Sequence, residues 1–163
     1  MSCLECKADP TTHSFEKIGS FHNNHIFYTS YKSIKDYSNA NAITEHISEM
    51  LQGISGESWI WIMDNKYTQM KHMMQLNVSL KLLKLLRERY GASLKAIYLL
   101  NSGAIIQTAM ITLNPFMNKG FKESIHKLAG TPLELHELFA KKYGFSGPEL
   151  DTIMRRIIRE YTN

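Results

Sequence analysis

The chain has 163 residues, 44% hydrophobic and 21% charged, which suits one domain with a core of its own and excludes a disordered tail. Nine glycines and four prolines exclude collagen-like and Pro-rich chains, and no apolar run nears the roughly 18 residues of a membrane-spanning helix. The net charge of +4 and a pI near 9.0 fit an anionic membrane surface at least as well as nucleic acid, because a duplex binder carries a denser basic stripe.

Residues 1–20 are polar with little periodicity and read as a flexible N-terminal arm, with a single domain following over 21–163. No apolar h-region is present there, so no secretory signal is expected. Cys3-Leu4-Glu5-Cys6 is a CxxC, half of a zinc site or a redox pair. Zinc needs four ligands, and His13, His22 and His25 are the nearby nitrogens. A thioredoxin-type pair would follow a strand. The expectation is therefore a frayed, reduced terminus, with no metal and no cofactor.

His25–Tyr31 is aromatic and β-branched and predicts a strand. Asp36–Asn41 reads as a polar loop. Ile43, Ile47, Met50, Leu51 and Ile54 fall at helical spacing. Ser58–Met63 is a continuous apolar run of strand length, as in a strand buried on both faces. Tyr67–Tyr90 predicts one long helix with Met70, Met73, Met74, Leu76, Leu80, Leu83 and Leu86 on an apolar face, the methionines favoured as core. Lys95–Asn101 is a second buried strand, Ile105–Leu113 a helix, and Ser124–Leu128 a short strand. Thr131-Pro132-Leu133-Glu134 and Ser146-Gly147-Pro148-Glu149 have capping-box spacing and start two more helices. The last carries Leu150, Ile153, Met154, Ile157, Ile158 and Tyr161 beside Arg155, Arg156 and Arg159. The order β-α-β-α-β-α-β-α-α argues for an α/β domain with a largely parallel sheet.

Catalytic patterns are thin. Ser102 lies in a strand-to-helix turn, Leu100-Asn101-Ser102-Gly103-Ala104, but lacks the first Gly of GxSxG. GxGxxG, Walker and HExxH patterns are absent. His46, His72, His126 and His136 are scattered, and Asp64 stands alone at a strand end. The chain is expected not to be an enzyme.

Leu94–Gly130 carries a further pattern. Ile97-Tyr98-Leu99-Leu100-Asn101 is an aromatic and aliphatic strand ending in Asn. An apolar helix runs from Ile105 to Pro115-Phe116, and Lys122-Glu123-Ser124 leads into Ile125-His126. Upstream, Trp59–Asp64 is an apolar strand ending in Asp; downstream lies Tyr143-Gly144. In order and spacing these motifs resemble the CRAL-TRIO lipid-binding family over roughly Trp59–Gly144.

The resemblance implies a CRAL-TRIO-like α/β fold: a mixed, mainly parallel five-stranded sheet with helices on one side and a gated apolar cavity on the other. It implies binding and transfer or presentation of a phospholipid or other small hydrophobic ligand. The family's usual N-terminal helical lobe has no counterpart in Met1–Asn24. By position the gate is Ala104–Met117, and the pocket and gate residues are Tyr28, Met63, Tyr98, Leu100, Ile105, Ile106, Met110, Leu113 and Phe116. Either Leu99 or the Tyr98/Leu100 pair faces the cavity, because strand side chains alternate. Lys119, Lys122 and Lys127 are placed for headgroup or anionic-membrane contact. Gly120 and Ser124 stand where phosphoinositide-handling members carry basic residues, so a headgroup site of that kind is not implied. The expected setting is cytoplasmic, with transient membrane association and no nucleic-acid partner. The alternative is a protein-interaction scaffold on the same fold with a filled cavity, or a homodimer formed through Leu150–Tyr161.

Overall fold

The computed structural model describes residues 3–9, 12–32, 34–35 and 37–162, with Met73 as backbone only. Met1, Ser2, Asp36 and the Met73 side chain, each given a place above, lie outside the described residues. Three seven-residue strands form the centre of the sheet: β2 (Asn24–Ser30), β3 (Ser58–Asp64) and β4 (Leu94–Leu100). Their near-continuous apolar sequence reflects burial on both faces, the usual condition of parallel strands. β1 (Glu16–Phe21) is antiparallel to β2, and β5 (Ile125–Leu128) is parallel to β4. The five strands lie in the order β1-β2-β3-β4-β5, and β2 to β5 are mutually parallel.

That order decides where the helices go. Parallel crossovers are right-handed in about 98% of cases, so successive crossovers that keep stepping in one direction fall on one face. The crossover helices are α2 (Ala40–Gln52), α4 (Leu76–Leu85, continued by a π-turn over Leu86–Tyr90) and α5 (Ala104–Leu113, continued by a 3₁₀ turn over Asn114–Phe116). Ile43, Ile47 and Leu51 of α2, Val78 and Leu82 of α4, and Ile106 of α5 pack with Phe27, Trp59, Trp61, Ile97 and Leu99 of the sheet. The opposite face is left to the chain's end, α7 (Pro132–Glu137, continued by a π-turn over Leu138–Lys142) and α8 (Gly147–Thr162). There Leu135, Phe139, Leu150, Ile153 and Ile157 cover Ile26, Tyr28, Ile60, Ile62, Tyr98 and Leu100.

The five-stranded, mostly parallel sheet agrees with the expectation. The expectation of helices on one side and the cavity on the other is corrected, because helices cover both faces. A gate that is itself a crossover must share its face with the other crossovers. The alternative of an interface through Leu150–Tyr161 cannot use Leu150 and Ile157, which are 7% and 0% exposed and packed on the chain's own sheet. Arg156 is not free for a membrane either, since it pairs with Glu16 and Glu160.

The arm is the largest departure. α1 (Leu4–Ala8) and β1 occupy it, and Cys3, Cys6, His13 and Phe15 are all buried. Phe15 stacks on Phe27 at 4.7 Å and meets Trp61 edge-on at 5.3 Å. β1 turns into β2 through His22 and Asn23, both at positive φ (48° and 61°), the backbone a two-residue hairpin demands. Asn tolerates that region, but His22-Asn23 is a weaker turn signal than Asn-Gly. The strand itself is half polar because it lies at an edge.

The helix expected over Tyr67–Tyr90 is broken into α3 (Met70–Met73) and α4. His72 turns back to accept from the Gln69 N–H at 3.0 Å, and its ring lies 5.1 Å from that of Tyr31. Met70 and Met74 are 62% and 76% exposed, so these methionines are not core.

Candidate functional site

A cavity of about 110 Å³ lies between α5 and the crossover face of the sheet. The floor is Trp61 and Met63 of β3, Ile97 and Leu99 of β4, and Ile125 of β5. The register pairs Trp61 with Ile97 and Met63 with Leu99, so alternation brings these side chains to one face. One wall is Leu82, Leu83 and Leu86 of α4 and its π-turn; the roof is Ile106, Ala109, Met110 and Leu113 of α5, with Met117 and Phe121 beyond it. Phe121 belongs to α6 (Lys119–Glu123), whose start is capped by Asn118 accepting from the Phe121 N–H at 2.8 Å.

Tyr31, Tyr37, Asn65 and Ser79 supply the polar part of the lining. Tyr37 hydrogen-bonds with Tyr31 and Ser79, and burial pushes both phenols up, so they remain neutral. Asn65 Nδ2 donates to the Met63 carbonyl at 3.0 Å and weakly to Ser102 Oγ at 3.4 Å. Its Oδ1 is buried with no hydrogen-bond partner, which costs free energy unless a donor fills the position.

Outside α5 an open cleft of about 440 Å³ continues past Met110, Met117 and Ile125, which line both spaces. Lys122 and Lys127 stand on this cleft together with Gln107, Ile111 and Asn114. Lys119 does not line it and pairs with Glu123 at 3.8 Å.

Of the residues singled out in the sequence, Met63, Ile106, Met110 and Leu113 meet at this cavity, and Lys122 and Lys127 meet at the adjoining cleft. Tyr28, Tyr98 and Leu100 do not. The register sets Tyr28 opposite Ile62 and Ile62 opposite Tyr98, all on the face under α7 and α8. Tyr28 Oη donates to Asp64 at 2.9 Å, its ring lies beneath the Arg156 guanidinium, and burial, then Asp64, pushes its phenol far up. Tyr98 packs against His126, Phe139, Tyr143 and Phe145, and burial, then Tyr143, pushes its phenol up to about 12. Ile105 is half-buried and outside the lining, and Phe116 is 52% exposed.

Sequence reasoning missed Trp61, Ile97 and the α4 wall, and it left Leu99 open as the alternative to Tyr98 and Leu100; the cavity takes Leu99. The signal was present, because Met63 on the cavity face requires Trp61 beside it by period two. The candidate catalytic side chains are each held by different neighbours. Ser102 receives Asn65, Asp64 receives Tyr28 and the Lys66 N–H, and His126 stacks on Tyr98.

Comparison with known proteins bears on the same region. The sequence profile of the CRAL/TRIO domain matches residues 21–144, well over half the chain. The chain belongs to the CRAL/TRIO domain family. The family is one of lipid binding and transfer. Among solved structures, that of Sfh5 is similar with a TM-score of 0.58 at 12% identity, over 80% of this chain. The match takes in 49% of Sfh5, so the chain spans about half of that protein's length. No curated protein sequence matches the chain. Among the described residues, no helix is long and apolar enough to cross a membrane.

A second cluster lies apart from the cavity. Cys3 and Cys6 are free thiols buried beside His13. Burial, then the neighbouring Cys3, pushes the Cys6 thiol up to about 12, the opposite of the depressed thiol that redox pairs use.

Proposed function

We propose that the chain takes up one lipid-like molecule beneath α5 and exchanges it at an anionic membrane surface, without catalysing a reaction. The observation that supports this most is the apolar cavity roofed by α5 and adjoining a cleft that bears Lys122 and Lys127. Ligand pockets of about 300–1,000 Å³ are usual, and this one is about 110 Å³. The space as described is too small for a lipid, so a ligand enters by displacing α5. Each buried methylene of the ligand contributes about 0.8 kcal/mol, so an enlarged dry cavity competes with a bilayer. The unpartnered Asn65 Oδ1 favours a ligand with an apolar body and one donating group, such as a hydroxyl.

Two adjoining helices expose the apolar side chains that such exchange requires. Ile111 on α5 is 76% exposed and Phe116 follows it; Met70 begins α3 and Met74 follows it, and α3 packs against α5. The direct experiment incubates the purified chain with vesicles of mixed phosphatidylcholine and phosphatidylserine, re-isolates it, and extracts bound lipid for mass spectrometry. One lipid equivalent per chain is the expected result; none after incubation and none as purified overturns the reading. The small volume of the cavity also favours a second reading, a protein-interaction scaffold whose cavity stays filled, and that empty extract is its expected outcome.

A further inference from the structure

We propose that Cys3, Cys6 and His13 bind a thiophilic divalent metal ion, zinc above all, that His46 is the fourth ligand, and that the ion fastens the N-terminal segment onto α2. The site is independent of the lipid cavity. His13 Nδ1 lies 3.1 Å from Cys6 Sγ and 3.9 Å from Cys3 Sγ, and the three donor atoms all fall within 4.8 Å of one another. In a tetrahedral zinc site with bonds of about 2.0–2.3 Å, ligand atoms sit about 3.3–3.8 Å apart. Two sulfurs and a nitrogen therefore already stand near coordinating separation with the backbone as it is.

The surroundings suit a metal more than a packing accident. Cys3, Cys6 and His13 are 1%, 0% and 5% exposed, on a stretch of chain too polar to be buried for its own hydrophobicity. His13 Nε2 donates to Glu5 Oε2 at 2.9 Å, since a carboxylate can only accept. That places the ring proton on Nε2 and leaves the Nδ1 lone pair facing the two sulfurs. Glu5 is itself held, because its Oε1 accepts from Asn39 Nδ2 at 2.8 Å, the residue that caps α2. A carboxylate behind a ligating histidine is the usual support for a bound zinc.

His46 repeats the pattern from the other side. Its Nε2 donates to the Phe15 carbonyl at 3.0 Å, so its Nδ1 carries the lone pair, and that atom is buried with no hydrogen-bond partner. The His13 and His46 ring centroids are 5.6 Å apart. Two imidazoles on one tetrahedral zinc, with Zn–N bonds of about 2.0 Å, have centroids about 5 Å apart. His46 stands outside the group of three donors that lie within 4.8 Å of one another, so ligation requires its side chain to move its orphaned nitrogen toward them. Binding is a proton exchange: zinc replaces the two thiol protons, which leave to solvent, and no electron moves.

The test uses the full chain, reduced and then given zinc or cobalt(II). One metal per chain by elemental analysis, and cobalt absorption bands of thiolate character, are expected. Cys3→Ser, Cys6→Ser and His13→Gln should each remove stoichiometric binding, while His22→Gln, at an exposed turn, leaves it intact. Glu5→Gln, a positioning change, should weaken affinity about 10- to 100-fold with an unchanged cobalt spectrum. Independently of any variant, chelation of the wild-type chain should speed proteolytic nicking before β1, and zinc should reverse it. No stoichiometric metal on the folded, reduced chain, or equal binding by a Cys3→Ser/Cys6→Ser chain, overturns the proposal. So does a Cys3–Cys6 disulfide that forms in air and, once reduced, takes up no zinc. Unchanged affinity in His46→Phe removes His46 from the ligand set.

Discussion

Lifting α5 off the sheet has a cost that can be worked from the burial of two side chains. Ile106 and Leu113 are 6% and 9% exposed beneath the helix. Re-exposing each costs about 1.5–3 kcal/mol, or about 3–6 kcal/mol together. At about 1.4 kcal/mol per tenfold, the proposed gating predicts roughly one molecule in 10² to 10⁴ open in water. Under the proposed function a bilayer would offset that cost by accepting the same side chains, which would couple opening to membrane contact. Ile106→Ala deletes three carbons, worth about 2.4 kcal/mol of closing contact at 0.8 per carbon, and should raise the open population roughly fifty-fold. Native-state hydrogen exchange measures this directly. Amides of α5 should exchange through an opening about 3–6 kcal/mol above the closed state, well below the global unfolding seen at β3 and β4. Ile106→Ala should lower the α5 value alone. If α5 amides exchange only with the global free energy, in wild type and variant alike, the helix is no gate and the reasoning fails.

Other outcomes follow from the same geometry. Ile111→Glu combined with Phe116→Glu changes exposed side chains, so stability should move by less than about 0.5 kcal/mol per site while binding to anionic vesicles drops at least tenfold in flotation assays; unchanged flotation would remove α5 from the membrane contact. Leu150→Asp or Ile157→Asp places an unpaired carboxylate between α8 and the sheet and should cost about 4 kcal/mol or more, read as denaturant unfolding, whereas a stable variant of halved mass in light scattering would restore the dimer reading. Burial lowers the pKa of His46, His72 and His126, so their unfolded forms take up protons near pH 6.5 and their folded forms only at lower pH. Their contribution is thus complete above pH 6.5 and lost as pH falls through it. The melting temperature should fall between pH 7.5 and 5.5, and a rise over that interval would contradict the assignment.

Much of the architecture could be read from the chain. Continuous apolar runs at Ser58–Met63 and Lys95–Asn101 announce doubly covered strands, and α7 begins at the predicted Thr131 cap, whose side chain and that of Glu134 bond reciprocally. The motifs from Trp59 to Gly144 lie within the segment that the CRAL/TRIO profile matches. The candidate site was legible only in part. Met63, Ile106, Met110 and Leu113 were placed at it, whereas Tyr28, Tyr98 and Leu100 were put on the wrong side of the sheet.

The reason is physical. Periodicity separates a strand's two faces but does not say which cover each receives. That depends on the order of strands in the sheet and on the hand of the crossovers, which place α2, α4 and α5 together and leave α8 for the other side. Residues 1–20 make the same point. Their polarity reads as a loose arm because nothing local shows that Phe15 meets Phe27 and Trp61, or that His13 returns to Cys3 and Cys6 beside His46. Local pattern sets the elements and their amphipathic faces; packing beyond them brings His13, seven residues past Cys6, back to the two cysteines.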